Sequence, residues 1–310
     1  MSVNNNRQKD KKRAFGKNQY ISLCMVKVMA FFAVAIAAFL AYQSVTRSFY
    51  SSRNYSESIF IMYDSTIAHI LIFVLLCAVF FVLNRFFNAS SLNGERTALI
   101  FLAAACVWIA VVGCVYLWEH PYYPVGDQNN IITAAKLAAQ GDYSVFLPGG
   151  LIGLCPQNRG MVFMYEMLYR ISGDNCYRVG AFIHIVYILA AMLAGYFFLK
   201  NSFSTVICRI IYCALMMLCI PLILYLPYNY GDLGAICFSM IIFWALSEYE
   251  KQLRRRYVLI SMLAAAMALL FRMNTWIVLI AAAIGLILIA IQKKSIRPRI
   301  AALCIALAAE

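Results

Sequence analysis

Charge is scarce in this chain. Only 13% of its 310 residues are Asp, Glu, Lys or Arg, against about a quarter in a soluble globular domain. That shortage excludes an ordinary water-soluble enzyme and a charge-solvated disordered chain. Glycine and proline, 15 and 7 in number, are too few for a collagen-like fibre. Histidine occurs three times, at the scattered positions 69, 120 and 184. His69 and His184 fall in apolar runs and read as helix-packing residues. No Walker A motif, helix-opening GxGxxG, HExxH or GxSxG is present. Cytoplasmic nucleotide chemistry therefore has no support. There is no CxxC, and nine of the 11 cysteines sit in apolar runs as small hydrophobes. Cys155 and Cys176 lie in a polar loop and read as free thiols.

Apolar residues make up 64% of the chain, and the mean hydropathy is +0.78. Continuous apolar runs near 20 residues recur, so the composition predicts an all-α, polytopic transmembrane helix bundle. The runs do not alternate as barrel strands do. A basic tail over 1–20 precedes candidate spans at 21–46, 66–87, 98–118, 178–199, 205–226, 233–249, 257–271 and 275–292. A partial ninth run starts near residue 300 and is still apolar at Glu310, so the chain reads as part of something longer. One helix over 257–292 would be about 54 Å long, too long for a ~30 Å hydrocarbon core. A hairpin at Arg272–Asn274 is expected instead. Segment 160–172 is short and holds Glu166 and Arg170, an i,i+4 pair. It reads as an interfacial helix.

The net charge of +13 would point to nucleic acid in a soluble protein; here it reads as topology. With the N-terminus inside and 160–172 excluded as a span, 18 basic residues fall inside and seven outside. The main loop, 119–177, then lies outside the cytoplasm, as does 227–232.

Candidate chemistry gathers in those loops. Pro124-Val125-Gly126-Asp127-Gln128 breaks the incoming helix, and the spacing places Asp127 at the N-cap of a helix over 128–139. Such a cap contributes about 1 kcal/mol. The functional alternative is a carboxylate held at the membrane surface. Gln157 and Asn158 offer neutral amides suited to sugar hydroxyls, and Arg159 is a cation that can hold a phosphate. Asp232 follows an aromatic turn, Tyr225 to Gly231, as a helix cap or a second carboxylate in a ligand wall. Arg272, beside Asn274, sits where a cation needs a partner or a cavity; a lipid phosphate would serve.

These residues stand in a familiar order: Pro124-Val125-Gly126-Asp127-Gln128, an Ala-rich helix, Gly141-Asp142-Tyr143-Ser144, Pro156-Gln157-Asn158-Arg159-Gly160, Tyr230-Gly231-Asp232 and Arg272-Met273-Asn274. The order resembles bacterial GT-C-fold membrane glycosyltransferases, the superclass of protein mannosyltransferases and lipid A aminoarabinose transferases. The resemblance spans about 98–292. It implies a cytoplasmic-membrane enzyme moving a sugar from a polyprenyl-phosphate donor to an envelope glycan, lipid or protein acceptor, on the extracytoplasmic face. It gives Asp127 the role of base or metal ligand. Gln128, Gln157, Asn158, Arg159, Asp232, Arg272 and Asn274 become candidate substrate contacts. The first large outer loop has no DxD pair, so a divalent metal lacks its usual ligands. Two other classes compete: a transporter or flippase for a lipid-linked or small solute, and a non-catalytic membrane scaffold. The outward clustering of polar groups and the lack of an inverted repeat favour surface chemistry over translocation.

Overall fold

The computed structural model describes residues 94–293 continuously and scattered positions from 27 to 85. Side chains at 151 and 290–293 are outside that description. The tail 1–20 and the ninth run beyond residue 300 lie outside the described residues. Within the first two expected spans, the positions described are helical. The chain divides into two units. The first comprises 1–92 with 291–293, and the second 93–290 with 294–310. The first contains a two-stranded antiparallel ribbon, β1 (Arg47–Ser51) and β2 (Ile59–Tyr63), with Phe49 opposite Ile61.

The second unit is helical. Its elements are α1 (Gly94–Glu119), α2 (Asp127–Ala139), α3 (Arg159–Ser172), α4 (Cys176–Ser202), α5 (Val206–Leu218), α6 (Ile220–Leu224), α7 (Asp232–Gln252), α8 (Arg255–Phe271) and α9 (Trp276–Lys293). Short 3-10 turns and the single-turn helix Leu151–Leu154 link them. Three described stretches are long and apolar enough to cross a membrane: Gly94–Glu119, Pro156–Ser202 and Asp232–Gln252. Val206–Leu218 and Met273–Ile289 are shorter apolar helices.

α1 is apolar all round, yet it buries one stripe: Ala98, Leu102, Ala105, Ile109 and Gly113. That is helical spacing, and the small side chains let neighbouring backbones approach. Gly113 faces Ile185 and Leu226. α4 is central, packing against α1, α3, α5 and α7. α7, α8 and α9 share a core built from Ile242, Tyr249, Tyr257, Ala264, Leu279 and Leu286.

The span expected over 205–226 is interrupted: α5 ends at Leu218 and α6 begins at Ile220. Pro221 explains the break, since it has no N–H to give the carbonyl four residues back, that of Met217. The Trp108 indole N–H donates to that oxygen instead, at 3.1 Å. α8 and α9 are likewise separate helices. Arg272 is extended (φ −154°, ψ 120°), and a 3-10 turn over Met273–Thr275 leads into α9.

Side-chain bonds tie the bundle at two ends. At one end, both guanidinium arms of Arg209 reach Glu95, and Lys200 lies 3.6 Å from the same carboxylate. Arg209 is only 2% exposed. Asn201 there donates to Ser247 and Glu248 at 2.9 and 2.8 Å. The opposite end holds the loops with the candidate chemistry. Segment 160–172 is the body of α3, and it packs on α2 while burying Met161, Val162 and Tyr165. Glu166 accepts from Arg170 at 2.7 Å, one turn along. Gly173 (φ 59°, ψ −139°) supplies the backbone turn between α3 and α4 that a side chain would resist.

Candidate functional site

Gly126 has φ 57° and ψ −133°, a conformation open to glycine, and it re-aims the chain after α1. Its carbonyl accepts the first helical bond of α2, from the N–H of Asn130 at 3.1 Å. Gly126 is therefore the N-cap, and Asp127 is the first residue inside the helix. This corrects the expectation that Asp127 caps α2. The glycine takes the sharp turn, so the helix starts one residue later. Asp127 is exposed and forms no hydrogen bond or ion pair among the described residues. Its carboxylate still lies at a helix N-terminus, where negative charge is favoured.

Gln128, its neighbour, points the other way. It is 4% exposed. Its amide N–H lies 3.3 Å from the Tyr122 hydroxyl, and its amide oxygen accepts from the backbone N–H of Asn229 at 3.0 Å. Asn229 in turn accepts from the buried Tyr165 hydroxyl at 2.5 Å. Gln128 thus joins the two loops and has little left for a sugar. Gln157 and Arg159 are exposed and Asn158 is half-buried, where a short 3-10 turn enters α3.

Asp232 opens α7, with Gly231 as the N-cap. Its carboxylate accepts two bonds from Arg272, from Nε at 2.6 Å and Nη2 at 2.9 Å. The Tyr225 hydroxyl donates to the same carboxylate at 2.5 Å. Arg272 therefore has a protein carboxylate as a partner. The pair is half-buried, at 39% and 31% side-chain exposure. Backbone approach makes it possible: Gly231 lies against the carbonyl of Phe271, and Gly160 against that of Leu270.

Asp232, Arg272 and Asn274 form the polar head of a groove of about 360 Å³. Its body runs along α7 and α9 past Ala235, Ile236, Met240, Phe243 and Val278. The α7 residues recur every three or four positions, one face of a helix. Eleven residues separate Asp232 from Phe243, about 16 Å along the axis.

The aromatic turn weighed above as a ligand wall lies on the other side of Asp232, and the fold adds Tyr122 to it. Tyr225 and Tyr228 stack at 5.3 Å, and Tyr122 lies 5.3 Å from Tyr228. These rings, with Tyr116, His120, Pro121 and Pro227, line a cavity of about 630 Å³. The run of tyrosines and prolines was a visible signal, but its meeting with Tyr122 required the fold. Tyr165 and Asn229 gave no signal. His184 is buried and donates through Nδ1 to the carbonyl of Leu226 at 2.8 Å, a packing role. Cys155 and Cys176 are free thiols.

Among the described residues, no group of three or more His, Cys, Asp or Glu is placed to hold a metal ion.

Comparison with known proteins found no matching family model, no matching curated protein and no matching solved structure.

Proposed function

We propose that this chain is a membrane glycosyltransferase of GT-C type. It would move a sugar from a polyprenyl-phosphate donor to a cell-envelope acceptor on the extracytoplasmic face of a bacterial cytoplasmic membrane. The observation that carries this reading is the groove headed by Asp232, Arg272 and Asn274. A polar head on a long apolar body suits an isoprenoid phosphate.

Asp232 uses two of the five N–H groups of Arg272. The remaining three are free to meet a phosphate, and Asn274 adds an exposed amide beside them. The ion pair is neutral as a unit. It therefore holds the guanidinium in place and recognises phosphate by directed hydrogen bonds. The isoprenoid tail would follow Ile236, Met240 and Phe243.

Asp127 is the base in this scheme. It is exposed and unpartnered at the same end of the bundle, as an acceptor hydroxyl requires. The hydroxyl passes its proton to Asp127 as its oxygen bonds to the sugar carbon. The bond from that carbon to the phosphate breaks, and the phosphate leaves onto Arg272. Gln157, Asn158 and Arg159 remain free to meet the acceptor. Gln128 acts by holding the two loops together.

The test is transfer by the purified full chain, using polyprenyl-phosphate-linked hexose and pentose donors. Asp127→Asn should lower turnover by about 10²-fold or more and leave thermal stability unchanged. Full activity in that variant would overturn the assignment of the base.

A further inference from the structure

A second cavity, of about 330 Å³, lies between the C-terminal end of α1 and the N-terminal end of α4. Leu117, Trp118, Ala181 and Phe182 supply apolar wall, and His120 and Arg178 supply polar groups. Trp118 is 79% exposed and Phe182 is 40% exposed, so the apolar wall opens outward. In a bilayer those side chains face lipid, with Trp118 at the depth where aromatic residues gather.

Arg178 is the cation of this cavity. Arg170, Arg209 and Arg272 each bond a carboxylate. Arg178 is exposed and lies 5.8 Å from the Tyr177 ring centre; the phenols of Tyr177 and Tyr123 are its neighbours, and among the described residues no carboxylate pairs with it. It also sits in the first turn of α4, where the helix dipole disfavours a cation. Arg159, Arg254, Arg255 and Arg256 also have no carboxylate partner among the described residues, but they line neither this cavity nor the groove. An anion at the mouth of the cavity would give Arg178 the charged partner that the two tyrosines do not supply.

We infer that this cavity holds an anionic glycerophospholipid, at a site distinct from the α7–α9 groove. The phosphate rests on Arg178 beside His120. One acyl chain runs down between α1 and α4 over Leu117, Ala181 and Phe182. The lipid is a bound companion of the fold, and the inference does not depend on the transfer reaction.

The test places the full chain in nanodiscs of equal phosphatidylglycerol and phosphatidylcholine with matched acyl chains. Native mass spectrometry then counts the lipids retained on release. The wild-type chain should retain phosphatidylglycerol over phosphatidylcholine. Arg178→Gln should lower that preference about fivefold, the effect of one interfacial cation. Arg170→Gln removes the same charge at the same end, from a residue that does not line this cavity, and should leave the preference intact. Trp118→Ala should lower retention of both lipids by opening the apolar wall. No preference in the wild-type chain, or an equal loss in both arginine variants, would overturn the site.

Discussion

The Trp108 indole N–H serves the carbonyl of Met217, the acceptor that Pro221 leaves without an amide. In hydrocarbon no water can take over that oxygen, so the bond belongs to the fold. Trp108→Phe should cost about 1–3 kcal/mol, the range for an acceptor stranded away from water, here by lipid. Pro221→Ala restores the backbone donor. Thermal unfolding of the two single variants and the double variant measures the coupling. An unchanged penalty for Trp108→Phe in the Pro221→Ala background would show that the indole compensates nothing.

Asp127 and Gln128 are adjacent in sequence and opposite in role. Gln128→Ala removes the bond to the Asn229 N–H and the contact with Tyr122. It should destabilise by about 1–3 kcal/mol. Asp127→Asn should stay within about 0.5 kcal/mol, as exposed substitutions do. Denaturation curves of the two proteins side by side decide this. Equal effects would contradict the geometry.

The Asp232–Arg272 pair predicts an order among variants. Arg272→Gln removes the charge that Asp232 faces, and Arg272→Lys keeps the charge but loses the two-pronged fit. The Gln variant should be the less stable, by about 1–2 kcal/mol relative to wild type. That is below the cost of breaking a fully buried pair, because both side chains are about a third exposed. Melting temperatures in a single detergent give the order; a Lys variant less stable than Gln would reverse it.

Backbone approach around the end of α8 gives a steric prediction. A Cβ at Gly160 or Gly231 would collide with the carbonyls of Leu270 and Phe271. Either alanine variant should cost about 1–3 kcal/mol through displaced backbone. Gly285 has open space where its Cβ would be. Gly285→Ala should therefore be neutral or stabilising by up to about 1 kcal/mol, on helix propensity. The three variants can be ranked by the yield of folded protein after a heat step.

The helices could be read from apolar run length, because run length and helix length follow one rule in a membrane. The run 98–118 lies within Gly94–Glu119, and 233–249 within Asp232–Gln252. The break at Pro221 fell inside a span expected to be continuous over 205–226, because apolar run length alone does not register a proline's missing N–H. What sequence could not give was pairing across distance. Arg272 needed a partner on physical grounds, but 40 residues separate it from Asp232. Nothing local says which helix ends are neighbours. The same holds for Gln128, whose amide looked free for a sugar until Asn229, 101 residues on, came beside it. Capping failed at a finer scale. Asp is a good N-cap, but the turn at Gly126 set the helix start one position later.

The ties at both ends bear on how the bundle meets bilayers of different thickness. α1 and α4, at 26 and 27 residues, are each about 40 Å long, beyond a ~30 Å hydrocarbon core. A lone helix of that length tilts to fit. Here Glu95 fastens α1 to Lys200 and Arg209, Asn201 fastens α4 to α7, and Asp232 fastens α7 to Arg272 of the segment after α8. α1, α4 and α7 cannot lean separately without breaking a polar bond at an end of the bundle. Hydrophobic mismatch is therefore met collectively, by the bundle leaning as a body or by the surrounding lipid deforming. The acyl-chain length of the host membrane thus sets the angle at which both the groove and the aromatic cavity face the headgroups.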